Sequence, residues 1–106
     1  GLGGHSDLRA LHAAGTPEAR FALDHFAYWA VRHAGSMVAA MGGLDAVAFT
    51  GGIGENDPWV RKEILSGLSF LGVSPDLAAN ARNDAVLHDA TSRVVILVVP
   101  ADEERQ

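Results

Sequence analysis

Ala46-Val47-Ala48-Phe49-Thr50-Gly51-Gly52-Ile53-Gly54-Glu55-Asn56 is the stretch that decides the fold. The apolar run Ala46 to Phe49 reads as a buried strand, the glycines as a turn, and Asp57-Pro58 as the opening of a helix. Strand, glycine turn and helix start, in that order, is how α/β proteins bring bare backbone against a nucleotide. The glycine spacing does not complete a known phosphate loop. A Rossmann turn needs glycine where Asp57 stands, and a P-loop needs a Gly-Lys-Ser/Thr ending. From spacing alone, a nucleotide loop and a tight turn that needs glycine for positive φ both remain open.

Upstream, Gly1 to Gly15 reads as a loop followed by a short helix from Asp7 to Ala14. Thr16-Pro17-Glu18 is a helix-start signal, and the helix runs to about Met41, ended by Gly42-Gly43. Ala22, Phe26, Trp29, Ala30, His33, Met37 and Ala40 recur at helical spacing as its inward face. Leu44 to Phe49 is then the first strand. Downstream, a helix over Pro58 to Gly67 presents Val60, Ile64, Leu65 and Leu68. A short helical turn follows over Asp76 to Asn83, and Ala85 to His88 reads as an edge strand. Arg93 to Val99 is β-branched and apolar on both faces, the pattern of a central strand covered on both sides. The order is α/β. One or two strong strands do not make a stable sheet alone. The chain opens at Gly1, and a new helix starts at Asp102-Glu103-Glu104 just before Gln106, so it is expected to be a fragment.

At 106 residues and 48% hydrophobic, the chain suits one domain or a piece of one and is too apolar for disorder. The net charge of −5, with Lys62 the sole lysine, argues against a nucleic-acid backbone as partner. The longest apolar run, Val94 to Val99, is far short of a membrane span, and no secretory leader pattern opens the sequence. With no cysteine there is no disulfide or thiolate metal site, which fits a cytoplasmic setting.

Other candidate residues are weak when read singly. Asp7-Leu8-Arg9 pairs an anion with a cation suited to a ribose or a base, yet a capping aspartate and a surface arginine explain it better. Asp102, Glu103 and Glu104 follow the strong strand, where α/β ligands sit and where an oxygen ligand could hold Mg2+. The preference of helix starts for acids explains them as well. His25 and His33 form no metal pattern.

Together, the residues resemble the acetate kinase family. Ala46 through Asn56 with Val60-Arg61 carries the resemblance, with Ser6-Asp7-Leu8-Arg9 upstream. Phe70-Leu71-Gly72-Val73 and Val99-Pro100-Ala101-Asp102-Glu103-Glu104 continue it downstream, so that it spans the chain in order. The resemblance implies an actin-like, ribonuclease-H-like ATPase fold, with residues 1–106 as the C-terminal, nucleotide-binding part and the N-terminal lobe absent. It implies phosphoryl transfer from ATP to acetate, giving acetyl phosphate and ADP. Asp7, Leu8 and Arg9 are then nucleotide contacts; phenylalanine is common at the middle position, so Leu8 departs from the pattern. Gly52, Ile53, Gly54, Glu55 and Asn56 form the adenosine-side loop, and Glu103 is the Mg2+ carboxylate. The family pairs through this lobe, which implies a homodimer. The residues that surround acetate and the transferred phosphoryl group belong to the missing half. The resemblance therefore assigns no catalytic residue here, implies an inactive isolated chain, and leaves acetate, propionate or butyrate open as the acyl substrate. A non-catalytic nucleotide-binding or dimerisation module is the alternative.

Overall fold

Thr16 and Pro17 open the longest helix at the predicted point: the Thr16 hydroxyl accepts the Ala19 N–H at 3.1 Å, and Pro17 has no amide to orphan. The computed structural model describes residues 2–101, so the predicted helix start at Asp102 lies outside the described residues. In chain order the elements are α1 (Leu2–Ala14), α2 (Pro17–Met41), β1 (Ala46–Phe49), α3 (Gly51–Asn56), α4 (Pro58–Gly67), a 3-10 turn (Ser69–Leu71), α5 (Leu77–Ala81) and β2 (Val95–Val98). The class is mixed α/β, as expected, and α2 and α4 have the expected limits. Helix α1 begins earlier than predicted: residues expected to be loop are already helical at Leu2.

The two strands run parallel, Ala46 opposite Val95 through Phe49 opposite Val98, with α3, α4 and α5 as the crossover between them. Val94, Ile96, Val98 and Phe49 point to one face and are buried with Leu65, Leu68 and Leu87. Complete burial of Ile96 and Leu65 contributes about 1.5–3 kcal/mol each. The other face differs from expectation. Ala46, Ala48 and Val95 are exposed, so among the described residues the sheet is covered on one face rather than two. The segment Ala85 to His88 is also not a continuous strand. Leu87 N–H donates to Ile96 O at 2.8 Å, but the Leu87 carbonyl is taken by Asp76 N–H at 2.7 Å, and the Ile96 N–H turns to His88 Nδ1 at 3.0 Å. The ladder is thereby reduced to isolated bridges, Val86 to Leu97 and Pro75 to His88.

Helix α2 is rotated from its predicted orientation. Ala19, Leu23 and Ala27 are its buried residues, whereas Phe26, Trp29 and Met37 are exposed. The buried stripe is displaced by one residue, about 100° around the axis. Small side chains at 19 and 27 admit α1 and α4, and Leu23 joins Leu8 and Val60 in a second apolar cluster.

The glycine-rich stretch is helical rather than a simple turn. Gly51 enters α3 with φ +79°, a left-handed conformation suited to glycine. Further along, a Cβ at Gly54 would lie 3.2 Å from the Phe49 carbonyl carbon, a tight contact that glycine avoids as α3 folds back onto the end of β1. Asp57 then caps α4, its Oδ1 accepting Val60 N–H at 2.9 Å.

One turn into α4, the fully buried Arg61 collects this region. Its Nη1 donates to Gly54 O (2.9 Å), Nε to Asn80 Oδ1 (2.7 Å), and Nη2 to Asn80 O (2.7 Å) and Asn83 Oδ1 (2.5 Å). Asn80 Nδ2 returns to Pro58 O at 2.9 Å. Asn83 sits at φ +58°, a region that asparagine tolerates well. Burial pushes the Arg61 guanidinium below its ordinary value, and the nearby Asp57 charge partly offsets this.

On the far side, Ser74, Asp89 and Thr91 close the turn before β2. Asp89 Oδ2 accepts the Ser74 hydroxyl at 2.6 Å, and its Oδ1 accepts Thr91 N–H at 2.8 Å. Donation by Ser74 first, then by Thr91, holds the Asp89 carboxyl below its ordinary value.

Arg61→Met strands four acceptors, and with a buried unsatisfied group costing about 1–3 kcal/mol it is expected to lower stability by about 3 kcal/mol or more in urea unfolding. Arg61→Lys should recover only a minor part, because an ammonium cannot span the fork. A loss under about 1 kcal/mol for Arg61→Met would refute the network's role. Gly54→Ala should cost about 1–3 kcal/mol by overpacking against Phe49 backbone, measured the same way. A depressed folded value for Asp89 means that its contribution is present above the unfolded carboxyl value, about 3.9, and is lost as pH falls through the folded value. Thermal unfolding of the wild type and Asp89→Asn between pH 2 and 7 should therefore differ most at the neutral end and converge in acid.

Candidate functional site

Parallel α/β sheets place ligands beyond the carboxyl ends of their strands, and here those ends are Phe49 and Val98. Val99 N–H extends the pairing by donating to Phe49 O at 2.8 Å. Pro100 has no amide, and the next donor, Ala101 N–H, goes to Glu55 Oε2 at 3.0 Å. The same oxygen accepts Gly51 N–H at 3.0 Å. Glu55 thus ties α3 to the exit of β2. Asn56 Nδ2 donates to Gly52 O at 3.0 Å, closing α3 on itself.

Beside α3 lies an open cleft of about 570 Å³ lined by Arg9, His12, Ala13, Asn56, Asp57, Pro58 and Trp59. Three elements make it: one side of α1, the end of α3 and the start of α4. Asp57 joins them, since Oδ2 lies 3.1 Å from His12 Nε2 while Oδ1 caps α4. The His12 ring meets Trp59 edge-on at 5.4 Å, and the Arg20 guanidinium lies over the Trp59 ring at 5.4 Å. The wall is therefore a fixed aromatic surface with a guanidinium and a carboxamide at its margin. Such a surface suits a flat, polar-edged ligand.

The structure brings Arg9 and Asn56 into this cleft from positions far apart in sequence. It does not bring the other predicted residues there. Leu8 is buried against Leu23 and Val60. Asp7 is exposed on α1 outside the lining, and Gly52 is exposed. Ile53 packs on the Leu8 cluster, Gly54 packs on Phe49, and Glu55 is turned to the backbone. Glu103, the predicted metal ligand, lies outside the described residues. Among the described residues no group of three or more histidine or acidic side chains could hold a metal ion.

Sequence reasoning missed His12, Asp57, Trp59 and Arg61. Arg61 left a signal: it shares the 61-65-68 spacing with Leu65 and Leu68, and a charged residue on a buried stripe has to be bonded there. His12 stands one turn after Arg9 within the helix expected over Asp7 to Ala14, but nothing in that spacing points to Asp57 or Trp59.

The model of the acetokinase family matches residues 1–106. An acetate kinase of Rhizobium meliloti is 47% identical over 105 residues, covering 98% of this chain and 27% of its own length. One from Nitratidesulfovibrio vulgaris is 46% identical over 110 residues, with the same coverage of 98% and 27%. The chain thus spans about a quarter of the length of these relatives. Among solved structures, acetate kinase of Porphyromonas gingivalis superposes with a TM-score of 0.82 at 31% identity, over 94% of this chain and 26% of its own. A propionate kinase from Francisella tularensis gives 0.78 at 32% identity, over the same shares of 94% and 26%. The match over every residue, and the superposition of 94% of the chain on a solved acetate kinase, place the chain in the acetokinase family with part of an actin-like ATPase fold.

Proposed function

We propose that residues 1–106 are the C-terminal, nucleotide-side part of an acetate kinase whose other lobe carries the acyl and phosphoryl-transfer residues. The observation that supports this most is the convergence of Arg9 and Asn56 on one cleft beside α3, next to an aromatic wall. In the whole protein the γ-phosphoryl group would leave the ADP oxygen and bond to a carboxylate oxygen of acetate. That chemistry is mostly positioning and charge stabilisation from two sides. This chain would supply one side: Arg9 and Asn56 as polar contacts, with the backbone of Gly52, Ile53 and Gly54 as the adjoining loop. Asp7 and Leu8 flank Arg9 in the same segment, and Glu55 adjoins Asn56 without lining the cleft.

Mg2+ accompanies such a nucleotide, and Glu103 is the residue proposed to hold it. Acetate is the acyl acceptor favoured by the names of the relatives, and the propionate kinase among the similar structures keeps a longer acyl group as the second reading. A homodimer and a cytoplasmic setting belong to the same proposal. The exposed Phe21, Tyr28, Trp29 and Met41 along α2 favour association, and among the described residues no helix is long and apolar enough to cross a membrane.

Calorimetric titration of the 106-residue chain with ADP tests the reading. Binding is expected, and Arg9→Met and Asn56→Ala should each weaken it about tenfold, the equivalent of one good polar contact. Asp45→Asn, exposed and outside the cleft lining, should leave it unchanged. No acetyl phosphate should form from ATP and acetate with this chain alone. Undiminished ADP affinity in both cleft variants would refute the site.

A further inference from the structure

Glu55 presents a problem that a contact role does not solve. It lies in the segment proposed as the adenosine side of a nucleotide site, yet its side chain does not line the cleft. The geometry shows what the charge does. One oxygen, Oε2, accepts Gly51 N–H and Ala101 N–H, each at 3.0 Å. These amides follow the ends of the two parallel strands, just past the last backbone rung from Val99 N–H to Phe49 O. Pro100 blocks continuation of that ladder, and the carboxylate supplies the next rung. Hydrogen bonds from neutral amides to a carboxylate are about twice as strong as those between neutral groups.

We infer that Glu55 is a positioning residue: its carboxylate sets the distance between the glycine loop and the segment that leaves β2, and it is not itself a ligand of the nucleotide. The segment it holds runs directly into Asp102, Glu103 and Glu104. Glu55 therefore fixes where Ala101 stands relative to the start of α3. The link to nucleotide binding rests on the function proposed above, whereas the brace itself does not.

The test compares the 106-residue chain with Glu55→Met, of similar length but without an acceptor, and Glu55→Gln, which keeps a neutral acceptor. Amide hydrogen exchange by NMR reads the brace without any ligand. Glu55→Met should lose about tenfold or more of the protection at both Gly51 and Ala101, with Val99 unchanged, and Glu55→Gln should restore part of it. Equal loss at Val99 would mean general destabilisation and would overturn the inference, as would unchanged exchange at Ala101. ADP titration followed by amide shifts reads the coupling. In the wild type, ADP should move the loop amides from Gly52 to Asn56 together with those after Pro100. In Glu55→Met the loop shifts should persist, with affinity within about threefold, and the shifts after Pro100 should vanish. A loss of ADP affinity beyond about tenfold with Ala101 still protected would make Glu55 a direct ligand and overturn the positioning role. Failure of the wild type to bind ADP would refute the proposed function instead, leaving the exchange measurement to judge the brace.

Discussion

The arrangement depends on one buried cation. Arg61 is fully enclosed, and its guanidinium bonds to carbonyl and carboxamide oxygens of Gly54, Asn80 and Asn83. Removing a guanidinium from water is costly, and the cost is offset only when its donors are satisfied in the correct fork geometry. Here the oxygens come from three places in the chain, so the desolvated cation can be satisfied in one arrangement of α3, α4 and the α5 turn. Asp57 completes the balance at longer range, close enough to raise the guanidinium's proton affinity. The same Asp57 caps α4 and meets His12, so the electrostatics of Arg61 extend to α1 and to the cleft.

The grip on Gly54 O also explains how a segment with three glycines becomes helical. Glycine disfavours helix by about 1 kcal/mol per residue relative to alanine. Three contacts oppose that preference: Arg61 on the Gly54 carbonyl, Asn56 on the Gly52 carbonyl, and Glu55 on the Gly51 amide. Tertiary bonding overrides propensity there. Replacing Gly54 by a better helix former would not help, because its missing Cβ is the space that Phe49 occupies.

These causes separate what was legible in the sequence from what was not. The starts of α2, α4 and α5 were legible because capping is local: Thr16, Asp57 and Asp76 each bond an amide three residues on. Val95 to Val98 were legible as a strand from β-branching. The facing of α2 was not, because apolar residues surround that helix and the approach of α1 and α4 selects the stripe holding Ala19, Leu23 and Ala27. The open side of the sheet was not legible either. Residues such as Val95 carry the hydrophobicity of a covered face whether or not a partner is described. In the cleft, Arg9 and Asn56 followed from a motif, but His12, Asp57 and Trp59 meet through folding and share no spacing that a sequence reveals.

A family-specific motif is not thereby a set of ligand contacts. Within Gly51–Asn56, Glu55 bonds to backbone at both strand ends, Asn56 bonds to Gly52, Ile53 packs inward, and Gly54 makes room for Phe49. Most of the motif's chemistry thus goes into building the loop. What it offers outward is backbone and the margin of a cleft whose wall comes from α1 and α4. His12 and Trp59 shape the cleft without belonging to the motif, so the loop and the wall beside it draw on separate parts of the sequence.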